Sequence, residues 1–406
     1  IGPVATKPTV RLKLHSQAGP FGRAIPAPVF YGLAIASVGG PLGLVALVVP
    51  STVAGVASSS GLVALLGSLA FVFPLLAWYR YSSNLASCGG LYSFVEAAAG
   101  TRVARAQGVV WAVGYFLYLP WTMPYVTYGI LPAAFPGVRP YRALLTVAIP
   151  AAMVLGLVAW RLGTFFLAAA VGAAQVILVG VLTSLEISGG GGAKSMALHV
   201  PATTAFHSAG LVSLLFVCGS LPLYLGSEVR NARAVTSRGL VAGIGIGAAC
   251  AVVGSLSLAR FPSAFLGAEV PGWLLGRSLG GQALGDAVAA VTALSVLTLV
   301  LLEYVALTRL LHAMARVRPG RAELGVGVAF IASAALTLIN PGAAYQRLAT
   351  PSLVALYLSL AVVFFVYPRF RRPRGRWLAR DFLVAGPATA LMLYGLYNAL
   401  EPSIGI

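Results

Sequence analysis

Two short runs, Ser37-Val38-Gly39-Gly40-Pro41-Leu42-Gly43 and Gly219-Ser220-Leu221-Pro222, interrupt otherwise continuous apolar sequence. Proline removes a helical donor and glycine lets another molecule approach the backbone, so each run ends one helix and starts another. The N–H groups exposed where a half-helix starts carry partial positive charge that suits a carboxylate. The carbonyls that end the preceding half suit an ammonium group or a small cation. Ser37, Gly39, Gly40, Pro41 and Gly43 are therefore expected to touch a ligand at the first break. Phe216, Cys218, Gly219, Ser220 and Pro222 are expected to do so at the second. Tyr224, like Phe216, flanks the second break and is a gate candidate, because a broken helix moves. Glycine and proline that merely kink a helix are the plainer alternative for either break taken alone.

Ionisable side chains within apolar sequence are the next candidates. Glu303 lies about two turns from the end of its apolar run, where a carboxylate can take up and release a coupling proton; a structural partnership with Arg309 is the alternative. Glu228 is read as a structural or gate ion pair rather than a ligand contact, with Arg230 and Arg233 as neighbours in sequence; Arg230, Arg233, Arg309 and Arg316 are all placed to make ion pairs at a gate on that side. Ser295 and Thr298 share a helix face at i,i+3 spacing. Gln175 is the strongly polar mid-span residue of the fifth apolar segment. Tyr115, Tyr118, Trp121, Tyr125 and Tyr128 recur at helical spacing and read as packing or interfacial residues that also offer a pocket wall.

The elements that must position these residues are membrane helices. Hydrophobic residues make up 59% of the 406-residue chain and charged ones 9%, against roughly 25% charged in a soluble domain. No residue from Ala24 to Tyr79 is charged, enough for two crossings of about 20 residues each. Charge-free windows place spans at 28–55 (broken), 60–79, 107–132, 143–160, 163–185, 210–228 (broken), 239–259, 285–308, 324–340, 349–367 and 381–400. The expected fold is all-α: a polytopic membrane protein of about eleven transmembrane helices. With the N-terminus in the cytoplasm, all but six of the 27 lysines and arginines fall in cytoplasmic segments; Arg139, Arg142, Lys194, Arg260, Arg277 and Arg347 are the six. That is the positive-inside pattern, and it puts the C-terminus outside a plasma (inner) membrane. It also accounts for the net charge of +18 without a nucleic-acid partner. No short apolar leader precedes the first span.

Each set of five spans begins with a broken one, and five is odd, so the second set enters from the opposite side: an inverted repeat. The expected organisation is a cytoplasmic segment 1–27, a first repeat 28–188, an extracellular linker 189–209, a second repeat 210–368, and a basic loop with the eleventh helix at 369–406. Gly189-Gly190-Gly191-Gly192-Ala193-Lys194-Ser195 has the look of a phosphate loop but lacks the glycine before lysine and any preceding strand, and reads as a flexible linker. Cys88, Cys218 and Cys250 have no CxxC spacing, which points to neither a disulfide framework nor a metal site. The absence of HExxH, of paired carboxylates within a span and of a nucleophile elbow argues against an enzyme.

Three stretches resemble the amino acid–polyamine–organocation permeases. Gly89-Gly90-Leu91-Tyr92-Ser93-Phe94-Val95 followed by Gly100 looks like that family's Gly-Gly-x-Tyr-x-Tyr-Val…Gly signature. Gly219…Glu228-Val229-Arg230-Asn231 is similar to its sixth-span pattern. Thr308-Arg309-Leu310-Leu311-His312-Ala313-Met314-Ala315-Arg316 resembles its Ser-Arg-x-x-x-Ala-Met-Ala-Arg. The resemblance extends over roughly residues 28–370. Here Asn231 is followed by Ala232 rather than proline, Leu221 stands where some members carry an acid, and the fifth span holds no lysine. The resemblance implies a secondary transporter of amino acids or related organic amines. It would work by alternating access, as a proton or sodium symporter or as an exchanger, without a bound cofactor. Likeness to sodium-coupled relatives of the fold would make Ser295 and Thr298 sodium ligands. The alternative on the same fold is a non-transporting sensor or a subunit of a membrane complex. Substrate identity, and monomer against homodimer, are not fixed by the sequence.

Overall fold

The computed structural model describes residues 22, 24–188, 193–371 and 379–404. The first 21 residues, the Gly189–Gly192 run and residues 372–378 of the basic loop lie outside them. Every named element is helical, and the one β-bridge among the described residues joins Ile25 to Val229. Eight helical stretches are long and apolar enough to cross a membrane. Two of them, Ala27–Asn84 and Pro136–Ser188, are 58 and 53 residues long and bend midway, near Val56 and at Trp160, whose backbone angles leave the helical region. Each of those two therefore supplies a pair of spans. Thr101–Pro124, 24 residues long, adds about 36 Å of helix and brings the count to eleven. Large apolar side chains such as Leu155, Ile177, Ile339 and Phe365 point outward, 66% to 83% exposed. A lipid solvent accepts such a surface, whereas a soluble monomer rarely shows one.

Span one is broken where the sequence places the break. Helix Ala27–Ala36 ends, Gly39 and Gly40 take φ of +77° and +70°, and Pro41 opens the next helical segment. Positive φ at two consecutive residues is what glycine permits at low cost, and proline at the first helical position gives up an amide that would lack a partner anyway. Span six differs from expectation. Its α-helix, Ala202–Leu214, stops before Gly219, and Val217–Glu228 continues as a 3₁₀ helix of 12 residues. Pro222 cannot donate to the carbonyl four residues back, and the tighter winding keeps the remaining bonds in a run far longer than 3₁₀ segments usually reach. The interruption of the α-helix therefore falls at Leu215–Phe216, ahead of 219–222.

Two π-helical turns, Leu44–Val48 and Tyr125–Ile130, have a common cause. Each contains the carbonyl four residues before a proline, Pro50 or Pro132, whose ring would clash with that oxygen in a regular α-helix.

Small residues fix span one between its neighbours. A methyl group at Gly243 would sit 2.4–2.6 Å from the Ala34 backbone, and Gly239 and Gly247 abut Phe30 and Val38 on the same face of span seven. On the other side Gly172 of span five lies against Gly32 and Ala36. Without a hydrophobic force between helices in lipid, such close backbone approach is what binds them. The inverted repeat shows also between its second and third spans. Gly90–Ala99 lies there in the first half, and Ser263–Leu266 with the start of Pro271–Ala315 lies there in the second.

Candidate functional site

At the first break, Ser295 of span eight places its Oγ 2.8 Å from the Gly39 carbonyl oxygen and 2.8 Å from Gln175 Oε1 of span five. One hydroxyl proton serves one acceptor. The triangle closes when Gln175 presents its otherwise unpartnered amide nitrogen to Ser295 Oγ and the hydroxyl donates to Gly39. Any side chain at Gly40 would overlap both Gln175 and Ser295. Ser37 is buried and donates to the Ala34 carbonyl at 2.8 Å, and Pro41 is buried in the start of its helix. Thr298 turns its hydroxyl to Leu294 within its own helix at 2.8 Å, so the structure does not bring it to the Ser295 cluster.

Beside this cluster lies a chamber of about 400 Å³. Gly39, Gly43, Leu44 and Leu47 of span one line it, with Cys218 of span six, Val296 and Leu299 of span eight, and aromatics from spans three and ten. The aromatics Tyr118, Trp121, Tyr125, Tyr345 and Tyr357 dominate its wall, and among the described residues no charged side chain lines it. Trp121 meets Tyr345 edge-on at 5.2 Å and Tyr125 stacks on Tyr345 at 5.5 Å. Leu47, Ser51, Tyr125 and Tyr345 also border a second cavity of about 570 Å³. That vestibule opens at the face opposite the arginine-rich one and carries Glu269. Of the expected ligand-lining residues, Gly39, Gly43 and Cys218 border the chamber. Phe216 instead packs on Phe71 at 5.5 Å, Gly219 abuts Ile244, Ser220 donates to the Val217 carbonyl at 3.1 Å, and Pro222 is buried in the 3₁₀ segment. Tyr345 and Tyr357 were not evident from sequence, because only tertiary packing brings span ten to the chamber.

Toward the arginine-rich face the path is shut. Tyr224 is buried, packs at a tilt on Trp111 with ring centroids 4.5 Å apart, and lies against Gly90, where a Cβ would come within 2.7 Å of its ring. Below it Arg309 Nε donates to Glu228 Oε1 at 2.8 Å and Nη1 to Glu323 Oε1 at 2.7 Å. Arg161 donates to Glu323 Oε2 at 2.8 Å. Both side chains of the Arg309–Glu228 pair are 2% exposed, so each charge depends on its partner. Arg230 is exposed, and among the described residues neither it nor Arg233 enters an ion pair. The partner of Glu228 is thus Arg309, which helix winding brings to it from span eight. Glu323 escaped the sequence reading. Its signal is a lone acid close behind Arg316, Arg318 and Arg321, in the second turn of the helix that Pro319 opens. Cys88 lies beside this pair and borders a cavity of about 480 Å³ with Arg105, His312 and Arg316. Burial first, then the nearby Glu228 carboxylate, pushes its thiol pKa up from the ordinary value. Backbone bonds from Ile25 N to Glu228 O at 3.0 Å and from Arg230 N to Ile25 O at 3.4 Å strap the segment before span one across the same face.

The fold, eleven spans in an inverted repeat, is one that solved structures share. The chain is similar to the manganese transporter of Eremococcus coleocola, solved in complex with an aromatic bis-isothiourea substituted compound, with TM-score 0.61 at 13% identity over 96% of this chain and 92% of that one. It is similar to a sodium-coupled sialic acid symporter in a substrate-bound outward-open state, with TM-score 0.58 at 12% identity over 94% and 91%. It is also similar to MHP1, a nucleobase-cation-symport-1 family transporter in a closed conformation, with TM-score 0.57 at 11% identity over 95% of each chain. At these identities the likeness establishes the fold. No family model matches the sequence, and no curated protein matches it.

Proposed function

We propose that the protein is a secondary transporter that moves an amino acid or a related organic amine by alternating access. The observation that carries this reading is a chamber at the break of span one, adjoining a vestibule across the shared residues Leu47, Ser51, Tyr125 and Tyr345 and shut on the other side by the Glu228–Arg309 pair. Its volume falls in the range of small-molecule sites. Its aromatic wall suits an apolar body, and the backbone ends of the break suit a carboxylate and an ammonium group. The resemblance to the amino acid–polyamine–organocation permeases supports the same substrate class. Among the described residues no three His, Cys, Asp or Glu side chains converge, which favours an organic solute over a divalent metal. By the positive-inside rule the arginine-rich face is cytoplasmic, with the N-terminus inside and the C-terminus outside, so this state faces outward. Rocking of broken spans one and six against spans three, four, eight and nine would open the inner gate. A sodium ion coupled to that motion would draw on Gly39 O and Ser295 Oγ at the break, with the Gln175 amide turned to present its oxygen.

The test is purified protein in proteoliposomes, assayed for uptake and for counterflow of the twenty amino acids and common polyamines. Flux of any one of them supports the reading. Thermal stabilisation by one of them without flux identifies a sensor or complex subunit instead, and neither stabilisation nor flux refutes the proposed substrate class.

A further inference from the structure

Beneath the chamber, spans three, six and eight enclose a carboxylate that the ligand cradle does not use. Glu303 lies one turn below Leu299, which lines the chamber, and seven residues below Val296, which also does; positions i, i+4 and i+7 share a helix face. The side chain is 0% exposed, and neither carboxylate oxygen has a hydrogen-bond partner among the described residues. Its electrostatic neighbours are Tyr115 and Tyr118 of span three and Cys218 of span six, with Tyr304 next to it on its own helix. Tyr357 of span ten adjoins Cys218. The nearest cation on the same helix, Arg309, is about 9 Å further along it by helical rise and is held by Glu228 and Glu323.

A lone carboxylate anion in such a place is very costly, because nothing replaces the water it has lost. The neutral acid does not carry that cost. Intramembrane carboxylates with no protein partner are marks of ion or proton pathways. Span three meets Glu303 through Tyr115 and Tyr118, and span six, the broken helix, meets it through Cys218. In the rocking proposed above, displacement of span six would take Cys218 away from Glu303 and open a route toward the arginine-rich face. The carboxylate thus stands between the chamber on one side and the gate on the other, with its exposure set by the moving element.

We propose that Glu303 binds the coupling proton: its carboxylate takes up a proton from the chamber side while the inner gate is shut, and releases it to the arginine-rich face when span six moves away. Proton and solute then travel in the same direction, and the protein is a proton symporter. This rests on the transport reading above. No bond other than the O–H of the carboxylic acid forms or breaks.

The experiment uses the full chain in proteoliposomes loaded with the pH dye pyranine, pulsed outside with a mixture of the twenty amino acids and common polyamines. Wild-type vesicles should acidify inside. Glu303→Gln, which keeps the size and neutrality of the acid, should lose acidification while retaining counterflow of the same mixture, since exchange needs no net proton movement. Acidification that survives in Glu303→Gln overturns the proposal, as does wild-type counterflow without acidification. If wild type shows neither flux, the transport reading fails. A second measurement then decides Glu303 alone: the infrared difference between wild type and Glu303→Gln at neutral pH. A carboxylic acid C=O band present in wild type and missing from the variant supports proton binding at Glu303. Its absence from wild type overturns it.

Discussion

Substituting Glu228 by glutamine tests whether the Arg309 pair holds the inner face shut. In the wild type Arg309 donates to Glu228 at 2.8 Å through Nε and at 3.4 Å through Nη2, with both side chains 2% exposed. Removing one charge of a buried pair costs about 3–5 kcal/mol. The lower figure applies here, because glutamine keeps an acceptor oxygen and Arg309 keeps Glu323 at 2.7 Å. That cost falls on the closed state alone, since opening returns Arg309 and residue 228 to water. About 3 kcal/mol shifts the closed-to-open ratio about a hundredfold. Cys88 reports the shift: its thiol is 5% exposed and faces Ser227, Glu228 and Arg309. Maleimide labelling followed by peptide mass spectrometry should show Cys88 modified up to about a hundredfold faster in Glu228→Gln. Glu323→Gln is the contrast. Its partners, Arg309 and Arg161, sit on span eight and on the turn between spans four and five, the part that stays together during rocking. That variant should lower the melting temperature and leave Cys88 labelling close to wild type. Equal acceleration in the two variants, or none in Glu228→Gln, would refute the assignment of the gate to the Glu228–Arg309 pair.

Three further outcomes follow from the same geometry. Gly40→Ala should abolish flux and lower the melting temperature, because its methyl overlaps Gln175 and Ser295 at a φ of +70°. Gly39→Ala meets nothing within 4 Å and should cost only the left-handed backbone term, about 1–2 kcal/mol, so similar melting temperatures for the two would contradict the cradle. Gly90→Ala should wedge against the Tyr224 ring and speed Cys88 labelling; unchanged labelling would show that the ring accommodates it. Cys218, which lines the chamber, should react with a small membrane-impermeant thiol reagent added at the vestibule face, while half-buried Cys250 should not. Any transported amino acid or amine should protect Cys218, and a lack of protection would place the ligand elsewhere.

The first break could be read directly because Gly-Gly-Pro leaves the chain no helical option, and φ at both glycines shows the reason. The second could not be placed as well. Val217–Glu228 keeps its turns by winding more tightly, and composition does not separate a 3₁₀ helix from an unwound stretch. Charge spacing marked the spans, yet the gate partner of Glu228 lies 81 positions away in sequence, whereas its sequence neighbour Arg230 stays exposed. Gln175 stood out as the polar residue of span five, but its meeting with Ser295 and Gly39 depends on three helices crossing at one level. The chamber wall has the same character: its span-three tyrosines form a visible stripe, while Tyr345 and Tyr357 arrive from the far end of the chain. Local backbone chemistry is legible residue by residue, and convergence of distant helices is not.

The strap that pairs Ile25 with Val229 joins residues half the chain apart. A ribosome emits the first long before the second, and domains form progressively during synthesis. The strap on this face therefore cannot form until the second half of the chain has begun to emerge. A truncated chain ending after the fifth span would leave residue 25 with nothing to fasten to.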